Sequence, residues 1–150
     1  MIEPDLQRYI DFFEDLREDR LDRLSDVMTD DVHFVDPFND VTGLDKVRLI
    51  FKHMFRHLES PKFTVTHAAS VPGSGPAGLL RWELSAIPKT GAKRGNGREP
   101  LRITGMSEVH LAADGRIHEH IDHWDAGRQF YERIPLLGWL LRRVRAPLKV

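Results

Sequence analysis

The first part of the chain places apolar residues three or four positions apart, which is the spacing of one face of an α-helix. Within residues 4–28 this stripe comprises Leu6, Tyr9, Ile10, Phe13, Leu16, Leu21, Leu24, Val27 and Met28. A charged cluster at 17–20 interrupts the stripe. The pattern therefore predicts two amphipathic helices, or one bent helix, with their charged residues in solvent.

A short strand and a further helix are predicted next. Residues 32–35 include valine and phenylalanine, which favour strands. The strand should end at Asp36-Pro37, because proline has no N–H to donate to a neighbouring strand and restricts the backbone of the residue before it. Thr42 and Asp45 have the spacing of a capping box at the start of a helix. That helix carries a second apolar stripe, which comprises Val47, Ile50, Phe51, Met54 and Leu58.

From residue 62 onward the period changes to two, which is typical of strands. Turn-forming residues at 72–78, 88–100 and 113–115 divide this part into predicted strands at 62–71, 79–87, 101–111 and 116–125. Residues 126–134 and 136–145 look helical, with Pro135 between them. The order predicts an α+β fold, in which a curved, mainly antiparallel sheet forms a cone and the N-terminal helices close a central pocket.

Composition narrows the class of protein. The 150 residues fit a single domain, 1–150, and the formal net charge of −1 provides no long-range attraction for nucleic acid. The chain has no cysteine, and its start lacks the basic and apolar pattern of a signal peptide. We therefore expect a soluble protein of the cytoplasm that does not bind nucleic acid.

The segment RIHEHIDHWD, residues 116–125, is the strongest candidate for chemistry. Alternate side chains of a strand share a face, so His118, His120, Asp122 and Trp124 should form one row and line the pocket. His120 and Asp122 lie about 7 Å apart along the backbone, which is close enough for their side chains to interact directly or through a shared water. The alternatives are a buried His-Asp pair that satisfies its own hydrogen bonds, a solvated strand face, and a metal held by His118 and His120.

Other candidates lie earlier in the chain. Asp36, between Phe34 and Phe38, is either a base in an apolar setting or the first residue of a turn. Tyr9 and Trp82 belong to apolar stripes, where packing in the core is the alternative to a role in the pocket. The flanking Arg81 and Glu83 share the face opposite to Trp82 and could form an ion pair.

Three motifs resemble the nuclear transport factor 2-like superfamily, and in particular its SnoaL-like and ketosteroid isomerase-like branches. They are QRYIDFF, DDVHFVDPFNDVTG and GRIHEHIDHWD. The resemblance implies a cone-shaped, cystatin-like fold and a homodimer. It places Asp36 at the position of the isomerase's general base and Tyr9 at that of its oxyanion-hole tyrosine. Ser107 stands where the isomerase has a protonated aspartic acid.

The SnoaL-like cyclases have their acid-base aspartate on the last strand, where Asp122 resembles it. The limonene epoxide hydrolase branch has an Arg-x-Asp pair that resembles Arg81-Trp82-Glu83, with glutamate substituted. Phe34 stands where that hydrolase has a water-binding tyrosine. The resemblance therefore implies a site built around an aspartate, but it does not specify which reaction the site performs.

Together these observations predict a cofactor-free acid–base enzyme, of the isomerase or cyclase type, acting on a hydrophobic ketone or polyketide-like molecule. The predicted catalytic residues are Asp122, Asp36, His120 and Tyr9. The predicted substrate-binding residues are Trp124, Phe34, Phe38, His118, Ser107 and Trp82. The alternatives are a non-catalytic binding or accessory protein and an epoxide hydrolase-like enzyme.

No metal is predicted. For the amphipathic segment 136–145, capping the pocket mouth or packing against a second subunit is favoured over contact with a membrane.

Overall fold

The computed structural model describes residues 1–73, 75–91, 93–95 and 97–149. Two helical elements come first, α1 at Pro4–Glu14 and a 3₁₀ helix at Glu18–Asp26, so the predicted break between two helices is confirmed. Proline at the first turn of α1 is compatible with a helix start because its missing N–H has no partner there. The buried face of α1 is Leu6, Tyr9, Ile10 and Phe13.

Strand β1 spans Met28–Val35, and a three-residue strand β2, Asp40–Thr42, follows within the segment predicted as a loop. Helix α2 spans Leu44–His57. The predicted capping box is wrong, because the N-cap residue is Gly43, with φ +110°, and the Asp45 carboxylate pairs with Arg48 instead. Glycine adopts this φ without the steric cost that a side chain would carry.

The long strands are β3, Leu58–Val71, and β4, Ala77–Pro88, followed by β7, Leu101–Leu111, and β8, Ile117–His123. The predicted break at 72–78 includes Ser74, and the break at 88–100 includes Ala92 and Asn96; these three lie outside the described residues. Within the break at 88–100, β5, Lys93–Arg94, pairs with β6, Gly97–Arg98.

Strand β3 begins four residues before the predicted position, with Pro61 inside it. Proline is tolerated because β3 is the edge strand and its register with β4 shifts between Glu59 and Lys62. The six-stranded sheet has the order β2-β1-β8-β7-β4-β3, and its pairs are antiparallel except for β1 with β8. The result is a mixed, curved and unclosed sheet, as the α+β prediction requires.

The core lies between this sheet and the helical elements α1, α2 and the first 3₁₀ helix. A second apolar cluster, Trp82, Leu84, Leu101 and Ile103, occupies the far end of β4 and β7. After the sheet come α3, Ala126–Gln129, a 3₁₀ turn at Tyr131–Arg133, α4, Pro135–Arg145, and a last 3₁₀ turn at Ala146–Leu148. No helix in the described part of the chain has the length and apolar character to cross a membrane.

Candidate functional site

A chain of side-chain hydrogen bonds crosses the interior from α1 to β4. Tyr9 Oη lies 2.7 Å from His120 Nδ1, and His120 Nε2 lies 2.8 Å from Asp122 Oδ1. The Ser107 hydroxyl lies 2.5 Å from the same Asp122 oxygen. The indole N–H of Trp82 donates to Ser107 Oγ at 2.8 Å. This hydrogen-bond chain therefore links α1, β4, β7 and β8, and Asp122 lies in it between His120 and Ser107.

The sheet register explains why these residues meet. In the β7–β8 hairpin Ser107 is the direct partner of Asp122, and His120 is two residues away on the same face. The parallel neighbour β1 places Phe34 opposite His120. Their rings stack with centroids 4.8 Å apart and an interplanar angle of 11°. Phe34 therefore fixes the plane of the imidazole.

The direction of each hydrogen bond follows from which group can donate. An indole N–H can only donate, so Ser107 Oγ accepts from Trp82 and turns its own proton toward Asp122. Both hydrogen bonds to Asp122 end on Oδ1, and no described group bonds Oδ2. The side chain of Asp122 retains 16% exposure, whereas that of His120 retains 8%. One carboxylate oxygen is thus fixed by two hydrogen bonds, and the other is left without a hydrogen-bond partner among the described residues.

Tyr9 supplies a neutral hydroxyl at this site. Its burial, and secondly the negative charge of Asp122, raise the pKa of the Tyr9 phenol well above its usual value. The phenol therefore keeps its proton and can donate to His120 Nδ1. In a neutral imidazole the ring proton is then on Nε2, where it points at Asp122.

Two spaces are lined by Asp122. The inner cavity, of about 50 Å³, is almost entirely apolar. It is lined by Tyr9, Ile10, Phe13, Phe51, Phe63, Val65, Leu80, Trp82, Ser107, His120 and Asp122. The outer groove, of about 710 Å³, lies between α2 and the far end of the sheet, and its volume falls in the range of small-molecule sites. Asp122 lines both spaces, as do Phe51, Phe63 and Trp82.

Most of the residues selected from the sequence lie in these walls. Phe34, Asp36, Phe38, Trp82, Asp122 and Trp124 line the outer groove, and Tyr9, Trp82, Ser107, His120 and Asp122 line the inner cavity. Trp82 is core and pocket wall at once, because it is 7% exposed and packs in the second apolar cluster. The sequence did not identify Phe13, Phe51 and Phe63, whose helical or strand spacing indicated only a core.

His118 does not face the cavity, contrary to the prediction of one row. Ile117 pairs with Leu111 and Glu119 pairs with His110, so His118 is the extra residue of a β-bulge. The bulge changes the phase of the strand, which buries Ile117 and leaves His118 exposed beside His110. His118 and His120 therefore cannot share a metal, and the described residues contain no group of three or more His, Asp or Glu arranged to hold one.

Asp36 starts a turn. Its Oδ1 accepts the backbone N–H of Phe38 and of Asn39, both at 2.7 Å, and the Asn39 amide contacts both carboxylate oxygens. Asp36 lies in the wall of the outer groove, but no hydrogen bond among the described residues connects it to the hydrogen-bonded side chains around Asp122. The turn-forming alternative accounts for its position.

Arg81 and Glu83 form the ion pair that the sequence suggested, with their nearest charged atoms 3.8 Å apart. Both side chains are exposed, so the pair that resembles the hydrolase motif lies outside the cavity. The expectation that the C-terminal segment caps the pocket mouth is wrong. Helix α4 contributes no side chain to the lining of the inner cavity or the outer groove, so it does not cap the pocket mouth. It packs instead against the 3₁₀ turn Tyr131–Arg133.

The sequence profile of the SnoaL-like domain matches residues 6–120, which include α1, most of the sheet and His120. The chain belongs to the SnoaL-like family. The predicted superfamily and branch are thus confirmed. No curated protein sequence matches this SnoaL-like chain significantly.

Solved structures with this fold cover most of the chain. An NTF2-like protein of unknown function from Exiguobacterium sp. 255-15 is 20% identical, with a TM-score of 0.65 over 81% of this chain and 98% of that one. A putative SnoaL-like polyketide cyclase from Jannaschia sp. CCS1 is 15% identical, with a TM-score of 0.65 over 83% and 90%. An LEH-like epoxide hydrolase from M. tuberculosis is 15% identical, with a TM-score of 0.61 over 95% and 93%. At these identities the likeness is one of fold.

Proposed function

We propose that this SnoaL-like protein is a cofactor-free acid–base enzyme that moves a proton on an apolar ketone or polyketide-like molecule. The observation that carries the proposal is the position of Asp122. Its Oδ1 accepts hydrogen bonds from Ser107 and His120, its Oδ2 accepts none from the described residues, and Asp122 lines both the cavity and the groove. A base must be fixed in orientation and accessible to the substrate, and this carboxylate meets both conditions.

In the proposed reaction Asp122 takes a proton from a carbon next to the substrate carbonyl, which leaves an enolate. The same carboxylic acid then returns the proton to a second atom of the substrate, so the protein ends unchanged and no electrons are exchanged with it. His120 and Ser107 stabilise the ionised carboxylate by donating to Oδ1. Tyr9 is a positioning residue in this scheme because its hydroxyl is engaged by His120.

The two spaces indicate the shape of the substrate. The inner cavity admits only a small apolar group, whereas the outer groove can hold a molecule of drug-like size. The reacting carbon must then lie between them, beside Asp122. We infer a compact, mostly apolar ring system with the carbonyl near one end.

The test uses 2-decalone, a bicyclic ketone, in heavy water. We expect the wild-type protein to accelerate deuterium incorporation next to the carbonyl, and Asp122→Asn to reduce the acceleration by about 10²-fold or more. Asp36→Asn tests the second candidate base, and Asp45→Asn is the control on an exposed carboxylate. Exchange that is the same in wild type, Asp122→Asn and Asp36→Asn would end the enzymatic proposal.

A non-catalytic binder is the second candidate. The supporting observation is that Trp82, Ser107, His120 and Tyr9 all have their polar atoms satisfied by protein partners, as a purely structural network would. Binding of 2-decalone without any exchange would favour it. Epoxide hydrolysis has less support, because Phe34 offers no hydroxyl to hold a water and the Arg81–Glu83 pair is exposed.

A further inference from the structure

Helix α4 carries its apolar residues on the side that faces solvent. The exposed apolar side chains are Leu136, 80% exposed, Trp139, 53%, Leu140, 50%, and Val144, 63%. At 100° per residue these four fall within one arc of the helix. Leu148, 82% exposed, continues the patch beyond the helix. We name these five side chains the α4 patch.

The inner side of α4 explains this orientation. Gly138 is the buried residue of the helix, and a Cβ at that position would lie 2.1 Å from the Glu132 carbonyl oxygen. The close approach therefore requires glycine, and it directs the opposite side of the helix outward. An ion pair between Arg145 and Glu132 fixes the same inner side. The apolar arc is thus held away from the domain by its own packing.

The segment that carries the α4 patch is cationic. Residues 133–149 contain Arg133, Arg142, Arg143, Arg145 and Lys149, and no aspartate or glutamate. Arg143 lies over the ring of Trp139, with its guanidinium carbon 5.4 Å from the ring centroid. The whole chain has a formal net charge of −1, so this cationic character is local.

We propose that the α4 patch binds the surface of an anionic lipid bilayer. An apolar arc that includes a tryptophan and has Arg143 over its ring has the chemistry of helices that lie in the membrane interface, since the apolar side chains enter the acyl boundary and a long arginine side chain reaches the headgroups. The cationic side chains complement anionic lipids. A second copy of α4 would instead bring like charges together, which opposes self-association through this face.

The geometry fits a helix that lies on the bilayer. Helix α4 has 11 residues and is about 16 Å long, shorter than the hydrocarbon core of a bilayer. Its inner side stays packed on the Tyr131–Arg133 turn, so binding needs no unfolding. This surface is separate from the cavity and groove, and its test is independent of the proposed reaction.

The experiment is flotation of the purified full chain with vesicles of phosphatidylcholine, alone or mixed with phosphatidylglycerol. We expect the protein to float with the phosphatidylglycerol vesicles only, with release at high salt and a blue shift of Trp139 emission that is absent in Trp139→Phe. Leu140→Ser and Arg143→Glu should each weaken partitioning by about tenfold. Leu79→Ser and Lys52→Glu are matched controls on exposed residues outside the C-terminal segment and should bind as wild type does.

Each remaining outcome contradicts the proposal. These are absence of flotation, equal flotation with both vesicle types, and flotation that Leu140→Ser leaves unchanged. A dimer in light scattering that Leu140→Ser converts to a monomer, without vesicle binding by the wild type, would assign the α4 patch to a second copy. Val144→Ser, at a more exposed position, replaces Leu140→Ser if circular dichroism shows that the latter is misfolded.

Discussion

At the scale of single residues, Ser107 connects the two halves of the site, because it bonds both Trp82 and Asp122. It is 2% exposed, accepts from Trp82 and donates to Asp122. Ser107→Ala should lower the free energy of unfolding by about 1–3 kcal/mol, because the indole N–H is then buried without an acceptor. Urea denaturation measures this, with the exposed Ser85→Ala as control. Equal losses in the two variants would mean that the Ser107 hydrogen bonds contribute nothing.

Tyr9 makes a prediction about pH. Because burial and the charge of Asp122 raise the pKa of its phenol in the folded state, the unfolded chain releases this proton first as the pH rises above about 10. The unfolded state is thereby favoured, and stability should fall by at most about 1.4 kcal/mol per pH unit above that point. We expect the decline between pH 9 and 11 to be smaller in Tyr9→Phe than in wild type. Urea denaturation at each pH measures this, and an equal decline in Tyr9→Phe and wild type would show that the Tyr9 phenol does not cause it.

At the scale of elements, β7 must allow a tryptophan to lie across it. Gly105 is the direct partner of Trp82, and a Cβ at Gly105 would lie 2.5 Å from the indole and 2.9 Å from Trp124 Cβ. Gly105→Ala should therefore displace the indole from Ser107 and lower the free energy of unfolding by about 1–3 kcal/mol. Gly73→Ala, where nothing lies within 4 Å of the added carbon, is the control. Unchanged stability and tryptophan emission in Gly105→Ala would show that β7 and β4 can separate freely.

The helices and long strands could be predicted from the sequence because their periods of 3.6 and 2 are carried by many residues. Features that depend on one residue could not be predicted in this way. The bulge at His118 turns Ile117 inward and His118 outward while His120 and Asp122 keep the predicted face, and it is visible only in the pairing with β7. The short β2 and the N-cap at Gly43 likewise depend on how β1 turns back toward α2.

The candidate site likewise contains residues that the sequence pattern predicts and contacts that it does not. His120 and Asp122 were predicted from their alternation, but the partnership of Ser107 with Asp122 was not. Counting outward from the turn at 113–115 pairs Ser107 with Ile121, and the bulge at His118 moves its partner to Asp122, so the length of the hairpin does not reveal this contact. The position of Tyr9 against His120 required the packing of α1 on the sheet, which no local pattern specifies.

At the scale of the whole molecule, the outer groove should bind apolar molecules in solution. Trp82 and Trp124 line it, so energy transfer from tryptophan to bound anilinonaphthalene sulfonate can report occupancy once Trp139 is replaced by phenylalanine. In that background Met54→Glu, in the groove wall, should weaken binding of the dye by about tenfold, since a charge must then be desolvated beside an apolar ligand. The dye is an anion, so a purely long-range charge effect must be separated from a local one. Lys52→Glu changes the net charge by more than Met54→Glu does, but its side chain lies outside the groove lining. If Lys52→Glu weakens binding as much as Met54→Glu, the dye responds to overall charge and does not occupy the groove.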